Sequence, residues 1–202
     1  QTAVSWLLDG QAPFVFNRGF MRCVMGRYPD GGKIGRERLL CAAADLWEIC
    51  DDEQKKEVAS LVAELTDGGD EYEKNISPQR CKAIRRIKKN NACAASYDRV
   101  FAHIDRIVHK RAEWAFAAAM SSKRIAGYEC INGLDRYGFY HGDGMTQIML
   151  KSDSGQYADG YWSKVNPYRI SGVTNDVQKR YPVSVSLDCD YLSEEDFVGG
   201  VC

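Results

Sequence analysis

The sequence predicts an α+β fold, in which a helical N-terminal half of three to four helices packs on an antiparallel β-sheet formed by the C-terminal half, braced by disulfides. Three observations carry that expectation. Apolar residues recur at three- and four-residue steps as far as about residue 120. After Gly127 the pattern changes to glycine turns and apolar–polar alternation. Eight cysteines, Cys23, Cys41, Cys50, Cys81, Cys93, Cys130, Cys189 and Cys202, form an even set with no CxxC pair and no zinc-like Cys/His spacing. Such a set is expected as four disulfides in an oxidising compartment.

The elements follow in chain order. Leu39, Leu40, Ala43, Leu46, Trp47 and Cys50 make the stripe of a first helix beginning at Arg36. Asp51-Asp52 starts a second, with Val58, Leu61, Val62 and Leu65 as its apolar face and Gly68-Gly69 as its stop. Ser77-Pro78 opens a short, very basic helix over 79–89, since a capping hydroxyl followed by proline at the first helical position is a strong start. A longer helix is expected over 94–120, with Tyr97, Val100, Phe101, Ile104, Val108, Ala115 and Ala118 on one side and Arg111 interrupting them.

In the second half, segments 136–140 and 145–151 flank His141-Gly142-Asp143-Gly144 as a hairpin. Ser152-Asp153-Ser154-Gly155 makes a further turn into a strand over 156–165. The clearest strand is 183–191, with Val183, Val185, Leu187, Cys189 and Tyr191 on one face. The whole, 1–202, reads as a single domain, with 1–126 and 127–202 as helical and β-rich subdomains.

Composition is that of a folded protein, with 45% hydrophobic and 27% charged residues, and no apolar run is long enough to span a bilayer. The chain begins at Gln1 rather than Met, as a product of signal-peptide removal would, so a secreted, extracellular protein is expected. The net charge of −1 conceals segregation: residues 78–124 carry 12 basic against 3 acidic side chains, between acidic flanks with 9 against 14 and 6 against 11.

Candidate sites follow from these patterns. His141 in a glycine-flanked turn, oriented by Asp143, is the position best suited to accept a proton. Arg80, Lys82, Arg85, Arg86, Lys88 and Lys89 form the densest charge run, a candidate anion-binding helix that acidic flanks would otherwise satisfy. Asp105, His109 and Glu113 fall at four-residue steps on the predicted long helix. His103 is expected at the edge of its stripe. Asp188, Asp190, Glu194, Glu195 and Asp196 crowd between the last two cysteines without an EF-hand spacing, so no metal and no cofactor is assigned. Asn75-Ile76-Ser77 is a glycosylation sequon, and Lys179-Arg180 a dibasic pair open to processing.

No motif assembles a nucleophile, a base and an orienting group. The expectation is therefore a non-enzymatic secreted protein that binds a protein or an anionic surface, as a toxin- or effector-like module or an extracellular structural component. The second reading is a small secreted phosphodiester hydrolase that uses His141 and the basic helix. The third is a glycan- or lipid-binding module using Tyr157, Tyr161, Trp162 and Tyr168.

Overall fold

The structure is a computed structural model of the 202-residue chain. It describes residues 2–21, 35–90, 92–120, 122, 138–153, 155–157 and 160–175. The strand expected over 183–191, the acidic cluster around Glu194, the Lys179-Arg180 pair and Cys23, Cys130, Cys189 and Cys202 lie outside the described residues. The chain forms two units that interleave in sequence. Gln1–Phe20, Lys33–Tyr97 and Lys110–Trp114 make the first, and the second is built chiefly from Asp98–His109 and Ala115–Cys202.

The first unit opens with a short helix α1 (Thr2–Ser5), a π turn (Trp6–Gln11) and a 3-10 turn (Ala12–Phe14). Strands β1 (Val15–Phe16) and β2 (Gly19–Phe20) then pair antiparallel, Phe16 opposite Gly19. Asn17 and Arg18 between them take positive φ angles of 49° and 67°, the two left-handed residues that a primed hairpin turn requires. Three helices follow: α2 (Arg36–Leu46), α3 (Asp52–Thr66) and α4 (Pro78–Lys88).

Their ends match the sequence signals. The Asp51 carboxylate accepts from the backbone N–H groups of Glu53 and Gln54 at 3.0 and 2.9 Å, and the Gln54 side chain accepts from the Asp51 N–H at 3.1 Å. This reciprocal cap satisfies donors that a helix start leaves open, and losing such a cap typically costs about 1 kcal/mol. Leu40, Ala43, Val58, Leu61, Val62, Leu65, Ile84 and Ile87 turn inward and form one core with Val4, Leu7 and Val15.

The segment expected as a long helix over 94–120 is instead three strands, β3 (Tyr97–Phe101), β4 (Arg106–Lys110) and β5 (Trp114–Ala119). With β6 (Met145–Leu150) they make an antiparallel four-stranded sheet in the order β3-β4-β5-β6. The alternation is plain once burial is known. Arg106, Val108 and Lys110 are buried while Ile107 and His109 are only half-buried. Backbone bonds from Arg111 N to Trp114 O (2.8 Å) and from Met120 N to Asp105 O (2.9 Å) fix the β4–β5 register and set His109 opposite Phe116.

Two further corrections concern the second half. In the hairpin expected around His141 the later arm is a strand, whereas Gly138–Tyr140, the described part of the earlier arm, is a 3-10 turn. Within 156–165 the described element is a short helix, α5 (Tyr161–Lys164), entered through Gly160 at φ 70°.

The bridges expected at the four described cysteines are corrected as well. Cys41, Cys50, Cys81 and Cys93 are free thiols. The Cys50 thiol donates to the Leu46 carbonyl at 3.2 Å and the Cys81 thiol to the Ile76 carbonyl at 3.5 Å, and both sulfurs pack in the helical core as small apolar groups.

Candidate functional site

Helix α4 carries five of the six basic residues of the charge run and Lys89 caps its end; acidic side chains take up four of the six. The Arg80 guanidinium grips Asp45 through two bonds, Nε–Oδ1 at 2.9 Å and Nη2–Oδ2 at 2.7 Å. Hydrogen bonding from Arg80 is the main reason the Asp45 carboxyl titrates below its usual range. Arg85 holds both carboxylate oxygens of Glu73, Arg86 pairs with Glu48, and Lys88 Nζ lies 2.9 Å from Asp70 Oδ1. Lys82 on the helix and Lys89 at its C-terminal cap are exposed. The basic helix is therefore docked on acids of its own unit, and most of its charge is spent there.

His141 sits in the second unit on a turn whose backbone is closed by its own N–H to the Gly138 carbonyl at 2.8 Å. The Asp143 N–H reaches the Tyr140 carbonyl at 3.1 Å. The Phe139 and Tyr140 rings meet edge to face at 4.9 Å, and the Tyr168 ring lies 5.8 and 5.9 Å from them. Gly144, at φ 93°, donates its N–H to the Ala119 carbonyl at 2.7 Å and so ties the turn to the end of β5. Its own carbonyl oxygen faces Gly172 so closely that a Cβ built there would lie 2.4 Å from it, so only glycine fits at 172.

His141 itself is only 3% exposed. Burial alone pulls its pKa down to about 4, so the ring is a neutral imidazole at ordinary pH. His141 and helix α4 belong to different units, each with its own surroundings.

The three residues expected on one helical face separate. Asp105 lies buried at φ 49° in the β3–β4 turn, Glu113 is exposed in the β4–β5 turn, and His109 is on β4. His109 Nδ1 instead pairs with the carboxylate of Asp98 across the β3–β4 ladder. Sequence reasoning missed that pair because it depends on the two strands replacing the expected helix. His103 lies in the turn after β3, and the Arg111 guanidinium in the turn after β4 donates to the Lys110 carbonyl at 2.7 Å. Of the aromatic set, Tyr157 and Tyr161 stand edge to face at 5.1 Å, while Tyr168 joins the cluster beside His141.

The sheet begins where a family resemblance begins. Residues 96–202 match polysaccharide lyase family 8, super-sandwich domain. The chain belongs to polysaccharide lyase family 8. A hyaluronate lyase of Thermasporomyces composti is 39% identical over 104 residues, which are 50% of this chain and 13% of that protein. A hyaluronate lyase of Staphylococcus aureus is 27% identical over 98% of this chain and 26% of its own length. The structure of Paenibacillus xanthan lyase superposes with a TM-score of 0.70 at 22% identity, covering 91% of this chain and 19% of that one. Chondroitin AC lyase of Streptomyces coelicolor superposes at 0.68, covering 89% and 27%. These similarities show a shared fold, and this family 8 chain spans about a quarter or less of the proteins it matches.

The family corrects the functional expectation. A non-catalytic binding module of toxin or effector type and a phosphodiester hydrolase both give way to membership in a family of polysaccharide-cleaving enzymes. Lack of an assembled nucleophile–base motif is no argument against such a family, because elimination needs no serine or cysteine nucleophile. Among the described residues no helix is long and apolar enough to cross a membrane.

Proposed function

We propose that this chain forms part of an enzyme that cuts an acidic polysaccharide by elimination, acting outside the cell where such polymers are found. The match of residues 96–202 to the family 8 domain carries this reading. Relatives named as hyaluronate, xanthan and chondroitin lyases support it.

Elimination sets clear chemical demands. A proton beside the sugar carboxyl group is removed, and the bond from ring carbon to the leaving oxygen breaks. A carbon–carbon double bond forms, the leaving oxygen takes up a proton, and no water is consumed. The protein must hold the polymer's carboxylates, neutralise charge that builds next to one of them, and place a base and an acid.

Within that scheme the described residues take supporting parts. Lys82 on α4 and Lys89 at its cap, exposed beside cations that are paired, are open to a polyanion. His141 is buried, and with a pKa of about 4 it is a weak base near neutrality. Its backbone N–H helps close the turn that carries Asp143.

The test is turnover. The protein as its cell makes it, incubated with hyaluronan, chondroitin sulfate or xanthan, should release fragments with an ultraviolet-absorbing unsaturated sugar at the new end. Lys82→Glu with Lys89→Glu should raise KM and leave kcat nearly unchanged, as expected of cations that collect a polyanion. Cleavage products without the double bond would overturn the reading.

A further inference from the structure

Among the described residues strand β6 is the outer strand of the sheet, and its sequence, Met-Thr-Gln-Ile-Met-Leu, contains no charge, no proline and no glycine. Ile148 and Leu150 are 50% and 43% exposed. An uncharged, apolar edge strand is a template for pairing with another chain, and proteins usually blunt one with a charge, a proline or a bulge. None of these lies within β6.

Other groups take its outward backbone positions instead. The Thr146 N–H donates to the Ser171 carbonyl at 2.8 Å, and the hydroxyls of the two residues lie 3.0 Å apart. The Tyr157 hydroxyl donates to the Ile148 carbonyl at 2.9 Å and accepts from the Ile148 N–H at 3.2 Å. The Leu150 N–H donates to Gln156 Oε1 at 3.3 Å. Residues 146, 148 and 150 are alternate positions, so these groups all face the same side of the strand, away from β5.

One hydroxyl thus meets both demands of Ile148, as a neighbouring strand residue would, but it offers no further backbone to extend the ladder. The Tyr157 ring is held for this task by its edge-to-face contact with Tyr161.

We propose that Tyr157 and Gln156 guard the β6 edge, filling the ladder positions that a second copy of this chain would otherwise take through its own β6. The guard is made of side chains, so it can be removed without cutting the backbone.

The test is a Tyr157→Phe, Gln156→Met double variant, which deletes the hydroxyl and the amide oxygen and keeps their bulk. In sedimentation velocity over a concentration series the parent should stay at single-chain mass. The variant, with the circular dichroism of the parent, should move toward twice that mass as concentration rises. Adding Ile148→Lys should return it to single-chain mass, because a lysine on each edge sets like charges together. A folded double variant that sediments as the parent does at every concentration would overturn the proposal. So would self-association that Ile148→Lys leaves intact, or a parent already paired through β6. If the double variant loses the fold, Tyr157→Phe alone decides by hydrogen exchange: the Ile148 amide should exchange faster than in the parent, and an unchanged rate would reject the guard.

Discussion

The ammonium of Lys110 donates to the backbone carbonyl of Val15 at 2.7 Å, linking the end of β4 to the first hairpin 95 residues away. The same ammonium pairs with Glu64 on α3 and lies 5.3 Å from the centre of the Tyr97 ring. Lys110 is 1% exposed, and burial lowers its pKa, with Glu64 opposing that shift. A buried charge held in this way is costly to orphan but not always costly to replace.

Lys110→Met should therefore destabilise the protein by about 3–5 kcal/mol, since it strands the Glu64 carboxylate and leaves the Val15 carbonyl without its donor. Lys110→Met combined with Glu64→Leu should recover much of that loss. Denaturant unfolding of the two single variants and the double variant makes the cycle, and simple additivity would contradict a coupled pair.

His141 gives the fold an acid limit. Its folded pKa of about 4 lies below the unfolded value of 6.5, so between these pH values the unfolded chain binds the extra proton. Stability from this group is whole above pH 6.5 and falls as pH drops toward 4, by about 3 kcal/mol in all. His141→Gln should flatten that slope in melts taken from pH 7 to pH 4, and an unchanged slope would place the acid sensitivity elsewhere.

Reversing Arg85, Arg86, Lys88 and Lys89 to Glu should lower the melting temperature. Three of these four residues face Glu73, Glu48 and Asp70, and the change sets like charges together. Raising salt should narrow the gap between variant and parent by screening the new repulsion. A variant that melts as the parent does would mean that α4 does not depend on those acids.

Cys41, Cys50, Cys81 and Cys93 should all take up an alkylating label after non-reducing denaturation. In the native state the exposed Cys93 should react first, with the buried Cys50 and Cys81 protected. Peptide mapping reads both results, and unlabelled Cys50 or Cys81 after denaturation would restore the bridges expected from cysteine number.

Helices α2 to α4 were legible because several independent signals agree in each. Asp51 caps, Val58 to Leu65 face inward, and Ser77-Pro78 starts α4 where expected. Strands β3 to β5 were not legible, for a physical reason. Two of the three buried positions of β4 are Arg106 and Lys110, so the inward face reads as polar and the half-buried one carries Ile107. The run Ala115 to Ala119 adds a composition that favours helix. No glycine or proline marks the turns between these strands; Asp105 takes the left-handed angle itself. At the candidate site, the turn around His141 was visible in its glycines, but the burial of the ring, only 3% exposed, was not. The pairing of His109 with Asp98 was hidden with the strands that create it.

Oxygen-labelled water tests the central claim most directly. Elimination takes no atom from water, whereas hydrolysis places one solvent oxygen in every cleaved bond. The protein as its cell makes it, acting on hyaluronan or chondroitin sulfate in labelled water, should give fragments whose new ends are unsaturated and free of label at the cleaved bond. Saturated fragments carrying one labelled oxygen per cut would contradict a lyase.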